Sequence, residues 1–197
     1  MRFEATARRW VLAGLAAAGI FTGCAHVQTT VPATIAATDT KKIELRNNAA
    51  SLLADLLGDE ANVSKVLLIK RNSAELGRLI KAISQTAGDG AKRLESLAKN
   101  DPTLKLHALE LPAGETATRA AIAQTEEHEL LFTTGEKFAF NLLLTQTDAL
   151  NYGSHLAKMA AENSPRADQA REFHALDLAL NDLFQQAATQ LRALPPK

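Results

Sequence analysis

The sequence predicts an all-α protein, and three observations carry that prediction. Ala and Leu are abundant in a chain with only 5% aromatic residues, and side chains of this kind favour helix over strand. Val66, Ile69, Ser73, Leu76, Ile80, Ile83, Ala87, Gly90, Leu94 and Leu97 keep an unbroken 3-4 spacing, the seam of a long helix packed against others. Asn100-Asp101-Pro102 and Ser164-Pro165 supply helix stop and restart signals.

The first residues stand outside any fold argument. Arg2, Arg8 and Arg9 precede an apolar run from Trp10 to Phe21, too short to cross a bilayer of roughly 30 Å as a helix. Small residues then lead to Cys24, the single cysteine of the chain. Phe21-Thr22-Gly23-Cys24 resembles the lipobox of bacterial lipoprotein signals. That resemblance implies a signal peptide over residues 1–23, cleavage between Gly23 and Cys24, and acyl chains on the sulfur and nitrogen of Cys24. A lone cysteine in a secreted chain cannot close an internal disulfide, and lipidation gives it a purpose. More than one acyl chain makes a stable membrane anchor where a single chain binds only marginally. Ala25 stands where lipoproteins kept at the inner membrane often carry Asp, so the analogy implies the periplasmic face of the outer membrane.

Residues 24–40 hold repeated Thr and little charge and read as a flexible tether. The domain is expected over residues 41–197, long enough for one hydrophobic core. A first helix is predicted from Lys41 to Leu57, with Leu45, Ala49, Leu52, Leu53 and Leu56 inward and Gly58 as its stop. The second carries the long seam from about Asn62 to Asn100. Its small positions Ser73 and Gly90 would let a neighbour approach closely, while Gly88-Asp89-Gly90 is a site for a bend.

Leu104, Leu106, Leu109 and Leu111 alternate before Pro112. With no partner strand in view, this stretch is expected to lay leucines over the bundle as an extended crossover. A third helix is predicted from Glu115 to Phe132, with Ala117, Ala121, Gln124, His128 and Leu131 on its inner side. Thr133 and Glu136 have capping-box spacing before a fourth, 134–162. The last, from Ser164-Pro165 to Leu194, turns Phe173, Leu176, Leu180, Leu183 and Leu191 inward.

Charge limits the partners. Lysine and arginine balance aspartate and glutamate at a net charge of +0, and loss of residues 1–23 leaves the remainder slightly acidic, which argues against nucleic acid. Phosphate-loop and nucleophile motifs are absent. Di-iron bundles use Glu-x-x-His pairs, and none occurs. His128, His155 and His174, on three predicted helices, are the donors from which a metal site would be built. Arg71, Arg78, Lys92 and Lys99 share one heptad position on the outside of the second helix, a candidate surface for anionic headgroups or cell-envelope polymer.

The order of long helix, leucine-bearing connection to Pro112, and Gly135-x-x-Phe138 opening another long helix resembles a family of bacterial envelope proteins with a ferritin-like four-helix bundle. The likeness runs from Asn62 to Leu194 and implies that fold, with the helix at 41–57 as an N-terminal addition, and an envelope location. Members often carry Asp-His late in the first long helix, where this chain has Asp89-Gly90, and Phe-Asp where it has Phe138-Ala139. The expectation is a non-enzymatic, membrane-anchored binding or structural module without a cofactor, with a protein or envelope polymer as partner. A metal-binding ferritin-like protein is the alternative. A small-ligand binder with a cavity near Ser73 and Gly90 is the third reading.

Overall fold

Helix periodicity accounts for nearly all of the described residues. The computed structural model describes residues 33–107 and 109–195, with side chains from residue 39 onward. Its elements are α1 (Ala33–Glu60), a 3-10 helix (Val63–Leu68), α2 (Ala74–Asn100), α3 (Ala113–Phe132), α4 (Gly135–Glu162) and α5 (Ala167–Ala193). Gly23, Cys24 and the signal segment lie outside the described residues, as does the first part of the expected tether. The rest of that tether, from Ala33, is already helix; Ala33, Ala36 and Ala37 are strong helix formers.

Four helices enclose the core in the ring order α1, α2, α5, α4. Their directions follow from which residues meet. Arg46 of α1 reaches Asp101 at the end of α2, whereas Leu57 lies beside Gly90, so α1 and α2 are antiparallel. Gly90 also meets Leu176 while Asp101 meets Gln169, which sets α5 antiparallel to α2. Gly153 of α4 is flanked by Leu53 and Leu56 of α1 and by Leu180 of α5. The short turn from Asn163 to Arg166 fixes α4 and α5 as an antiparallel pair. By the same alternation α2 and α4 run parallel, and residues 101–134 form the crossover that permits it.

The helix outside the bundle is α3, not the N-terminal one. Every described residue of α3 is exposed except Leu130, which is half-buried. The expected inner set of Ala117, Ala121, Gln124, His128 and Leu131 therefore faces solvent. In its place α1 supplies Ala49, Ala50, Leu53 and Leu57 to the core. Its inward row is set by Arg46 rather than Leu45, which is 39% exposed. Short chain connections favoured α1 as a partner of α2, whereas α3 carries too little apolar side-chain area to displace it.

The long seam is correct from Leu76 onward, with Leu76, Ile80, Ile83, Ala87, Gly90 and Leu94 buried. It fails ahead of that point. The chain turns at Ile69–Ser73, and Ser73 is the N-cap of α2, its hydroxyl accepting from the Leu76 amide at 3.1 Å. The helix passes through Gly88-Asp89-Gly90 without a break, and α1 likewise continues past Gly58 to Glu60. Tertiary contact explains Gly90: a Cβ there would lie 2.8 Å from Leu176 Cδ2 and 3.2 Å from Leu57 Cδ1. Packing two leucines onto the bare backbone offsets the helix propensity that glycine gives up. The leucine-bearing connection behaves as expected, with Leu104 buried and Leu106 packed on the core.

Candidate functional site

The two ends of the bundle differ in chemistry. At the end where α2 stops, Arg46 is fully buried. Its Nη2 donates to the Thr103 carbonyl at 2.7 Å and its Nη1 to Gln169 Oε1 at 3.2 Å, with Asp101 Oδ2 3.8 Å away. Gln169 Nε2 donates to Asp101 Oδ2 at 2.8 Å, and Thr103 donates its amide and hydroxyl to Oδ1. Burial lowers the pKa of the guanidinium, opposed by Asp101. The Thr103 hydroxyl, ahead of its amide, Gln169 and Arg46, holds the Asp101 carboxyl below its ordinary value. Every member is satisfied from α1, the crossover or α5, so this network is a structural clasp rather than a reactive site.

A second polar island lies further along α1. Glu60 is pushed up to about 7 by burial, with Asp59 and Glu126 adding to the shift and Gln146 opposing it. Three buried polar atoms there and along α4 have no hydrogen-bond partner among the described residues: Glu60 Oε2, Gln146 Oε1 and Asn141 Nδ2. Glu126 is also shifted upward, by burial first and then by Asp148 and Glu129.

The opposite end, where α2 and α4 begin, is the candidate functional surface. Lys70 Nζ donates to the carbonyls of Leu131 and Thr133, a cation on the unsatisfied carbonyls that end α3. It thereby joins the turn after the 3-10 helix to the last turn of α3. Four large apolar side chains protrude where these meet: Leu68, Ile69, Leu131 and Phe132, at 85%, 63%, 43% and 74% exposure. A groove of about 570 Å³ beside Leu68 is lined by Lys65, Arg78 and Lys81 and by no carboxylate. A separate cleft of about 560 Å³ opens between α2, α4 and the end of α5, over Leu76, Phe138 and Leu143, with Arg71, Glu75 and Glu136 at its rim.

The predicted metal donors do not meet. His128, His155 and His174 are all exposed. His128 stacks on Phe132 with ring centroids 4.5 Å apart, and His174 Nδ1 lies 3.7 Å from Asp177 on its own helix. Among the described residues no three His, Cys, Asp or Glu side chains are placed to hold a metal ion. The donors sit on outer helix faces because α3 is not a bundle member and because Phe173 and Leu176, not His174, occupy the inward positions of α5.

The predicted basic stripe divides. Arg71 lies in the turn before α2 and Arg78 in its first turns, both at the tip. Lys92 is exposed beside Asp89 at 3.7 Å, and Lys99 is in the last turn, at the Arg46 end. Ser73 and Gly90, proposed to share a cavity, are separated by about 25 Å along α2, and the space at Gly90 is filled by Leu57 and Leu176.

Sequence reasoning missed Lys65, Lys70, Lys81 and Leu68. The signal was present in Lys65-Val66-Leu67-Leu68-Ile69-Lys70-Arg71, an apolar run bracketed by cations. The 3-4 count had absorbed Val66 and Ile69 into the seam. No helix among the described residues is long and apolar enough to cross a membrane. Set against known protein families, curated proteins and solved structures, the chain matches none.

Proposed function

We propose that the protein is a lipid-anchored helical module of the bacterial envelope, non-enzymatic, held at the periplasmic face of the outer membrane through Cys24. The observation that carries this reading is the single cysteine standing directly behind a basic, then apolar, leader in Phe21-Thr22-Gly23-Cys24. The bundle is of ferritin-like type. Supporting that assignment are the parallel α2 and α4 and the one long crossover between them, the connectivity that separates ferritin-like bundles from simple up-down ones. The interior is filled by Leu, Ile and Phe side chains together with the Arg46 clasp, which suits a scaffold that presents a surface.

Mass spectrometry of the mature protein tests the anchor. The expected N-terminus is an acylated Cys24, with the protein in the outer-membrane fraction. Cys24→Ser should abolish the acyl mass and keep the chain out of the outer-membrane fraction. An unmodified Cys24, or a wild-type chain with residues 1–23 still attached, would sink the reading.

A further inference from the structure

We infer that the tip formed by the 3-10 helix, the start of α2 and the end of α3 is a docking surface for an anionic phospholipid bilayer. Leu68, Ile69 and Phe132 are largely exposed at the end of the bundle, and Leu68 also lines the groove edged by Lys65, Arg78 and Lys81. Exposed apolar residues ringed by cations suit insertion at the boundary between headgroups and acyl chains of an anionic membrane. Lys65, Arg78 and Lys81 surround Leu68, and none of them forms an ion pair among the described residues. Lys70 adds its charge while tying the turn before α2 to the end of α3 through the Leu131 and Thr133 carbonyls. The carboxylates of this end, Glu75 and Glu136, line the separate cleft on the other side of α2, and those of α3 begin one turn behind Phe132, at Glu129.

This arrangement of charge selects the partner. A cation near an anionic leaflet is worth about five-fold in partitioning, and several together prefer such a leaflet to a neutral one. Apolar insertion then holds the tip after electrostatic approach. The inference goes beyond the anchor at Cys24 and does not depend on it.

The single cysteine makes a site-specific test practical. In the full chain carrying Cys24→Ser, an environment-sensitive fluorophore is attached through Phe132→Cys, through Leu68→Cys, or through Leu178→Cys as a control on the outside of α5, where Leu178 is 57% exposed. Vesicles of phosphatidylcholine containing about a third phosphatidylglycerol should shift the emission at 132 and 68 to the blue, and leave 178 unchanged. The apolar leader is common to all three chains, so its own affinity cannot produce this difference. Raising salt from about 0.1 to 0.5 M should reverse the shift. Lys65→Glu, Arg78→Glu and Lys81→Glu together should weaken it at least tenfold, roughly the effect of losing more than one surface cation. Equal response to pure phosphatidylcholine, equal response at 178, or no response at 132 and 68 would overturn the proposal. A shift that grows with protein concentration in the absence of vesicles would assign the tip to a second copy of the chain instead.

Discussion

Arg46 and Asp101 face each other across 3.8 Å at the closed end of the bundle, with side chains 0% and 9% exposed. A buried pair of this kind contributes little over an apolar substitute, but either member alone is costly because the other is left uncompensated. The pair also selects one arrangement. Arg46 is on α1, Asp101 ends α2, Thr103 opens the crossover and Gln169 lies in the first turn of α5, so the crossover can leave α2 in only one direction.

Replacing Arg46 with Met should lower unfolding free energy by about 3–5 kcal/mol, read from chemical denaturation at neutral pH. The double variant Arg46→Met, Asp101→Asn should lose less than the sum of the single losses, because each removes the same contact. Strict additivity would show that the two groups do not interact. Acid acts through Asp101: its folded pKa is depressed below the ordinary 3.8, so its contribution is present above that value and is lost as pH falls through the folded pKa.

Glu60 has the opposite sign. Its folded pKa is raised from 4.5 to about 7, chiefly by burial, so between those values the native state binds more protons than the unfolded chain. Stability therefore falls as pH rises from 4.5 to 7, by up to about 3 kcal/mol from this group alone. Glu60→Gln should remove that slope and stabilise the protein at pH 8 while changing little at pH 4. A flat wild-type profile between pH 5 and 7 would show that Glu60 is not held protonated.

Glycine substitutions separate close packing from free helix surface. At Gly90 a Cβ would strike Leu176 at 2.8 Å, and both Leu176 and Leu57 are buried with little room to retreat. Gly90→Ala is expected to lose about 1 kcal/mol net, overpacking of 1–3 kcal/mol set against a propensity gain near 1. Gly58, also helical, has nothing within 4 Å of a Cβ, so Gly58→Ala should gain about 0.5–1 kcal/mol. Thermal unfolding of the two variants measures both; a stabilising Gly90→Ala would refute the close approach.

Why was so much of the helix plan legible, and so little of the site? Helix periodicity reports which face of a segment is apolar, and Leu76 to Leu94 or Phe173 to Leu183 could be read directly because those faces are uninterrupted. It does not report which helices share a core. Arg46 looks like a solvent residue by type, and only the convergence of Asp101, Thr103 and Gln169 from distant positions makes its burial tolerable. Conversely, α3 has the composition of a helix but, among its described residues, no side chain large and well placed enough to be buried. Ser73 could have been recognised as a cap from Asn72-Ser73 ahead of Glu75, since Ser followed by an acidic first turn marks a helix start. Treating it as a small seam residue carried the seam across the turn. That error concealed the tip, where Leu68 and Ile69 are exposed because the seam ends before α2 begins.

The weak attachment of α3 has a measurable consequence. A helix of this length is marginal in water without tertiary support, and α3 has few holds. Arg119 donates to Tyr152 Oη at 3.5 Å, with its guanidinium 5.9 Å from the ring centroid. Leu130 is half-buried against the core, and Lys70 caps the final carbonyls. Its ion pair, Arg119 with Glu115 at 2.7 Å, is internal to the helix and exposed, so it resists unwinding more than detachment. Amides of 113–132 should therefore exchange with solvent deuterium at least a hundredfold faster than those around Leu142 and Leu176, through local opening that leaves the four-helix core intact. Leu130→Ala should accelerate that exchange further while shifting global unfolding by less than about 1 kcal/mol, because the residue is only half-buried and lies outside the core. Exchange of α3 at the same free energy as Leu142 would mean that the helix is an integral part of the bundle.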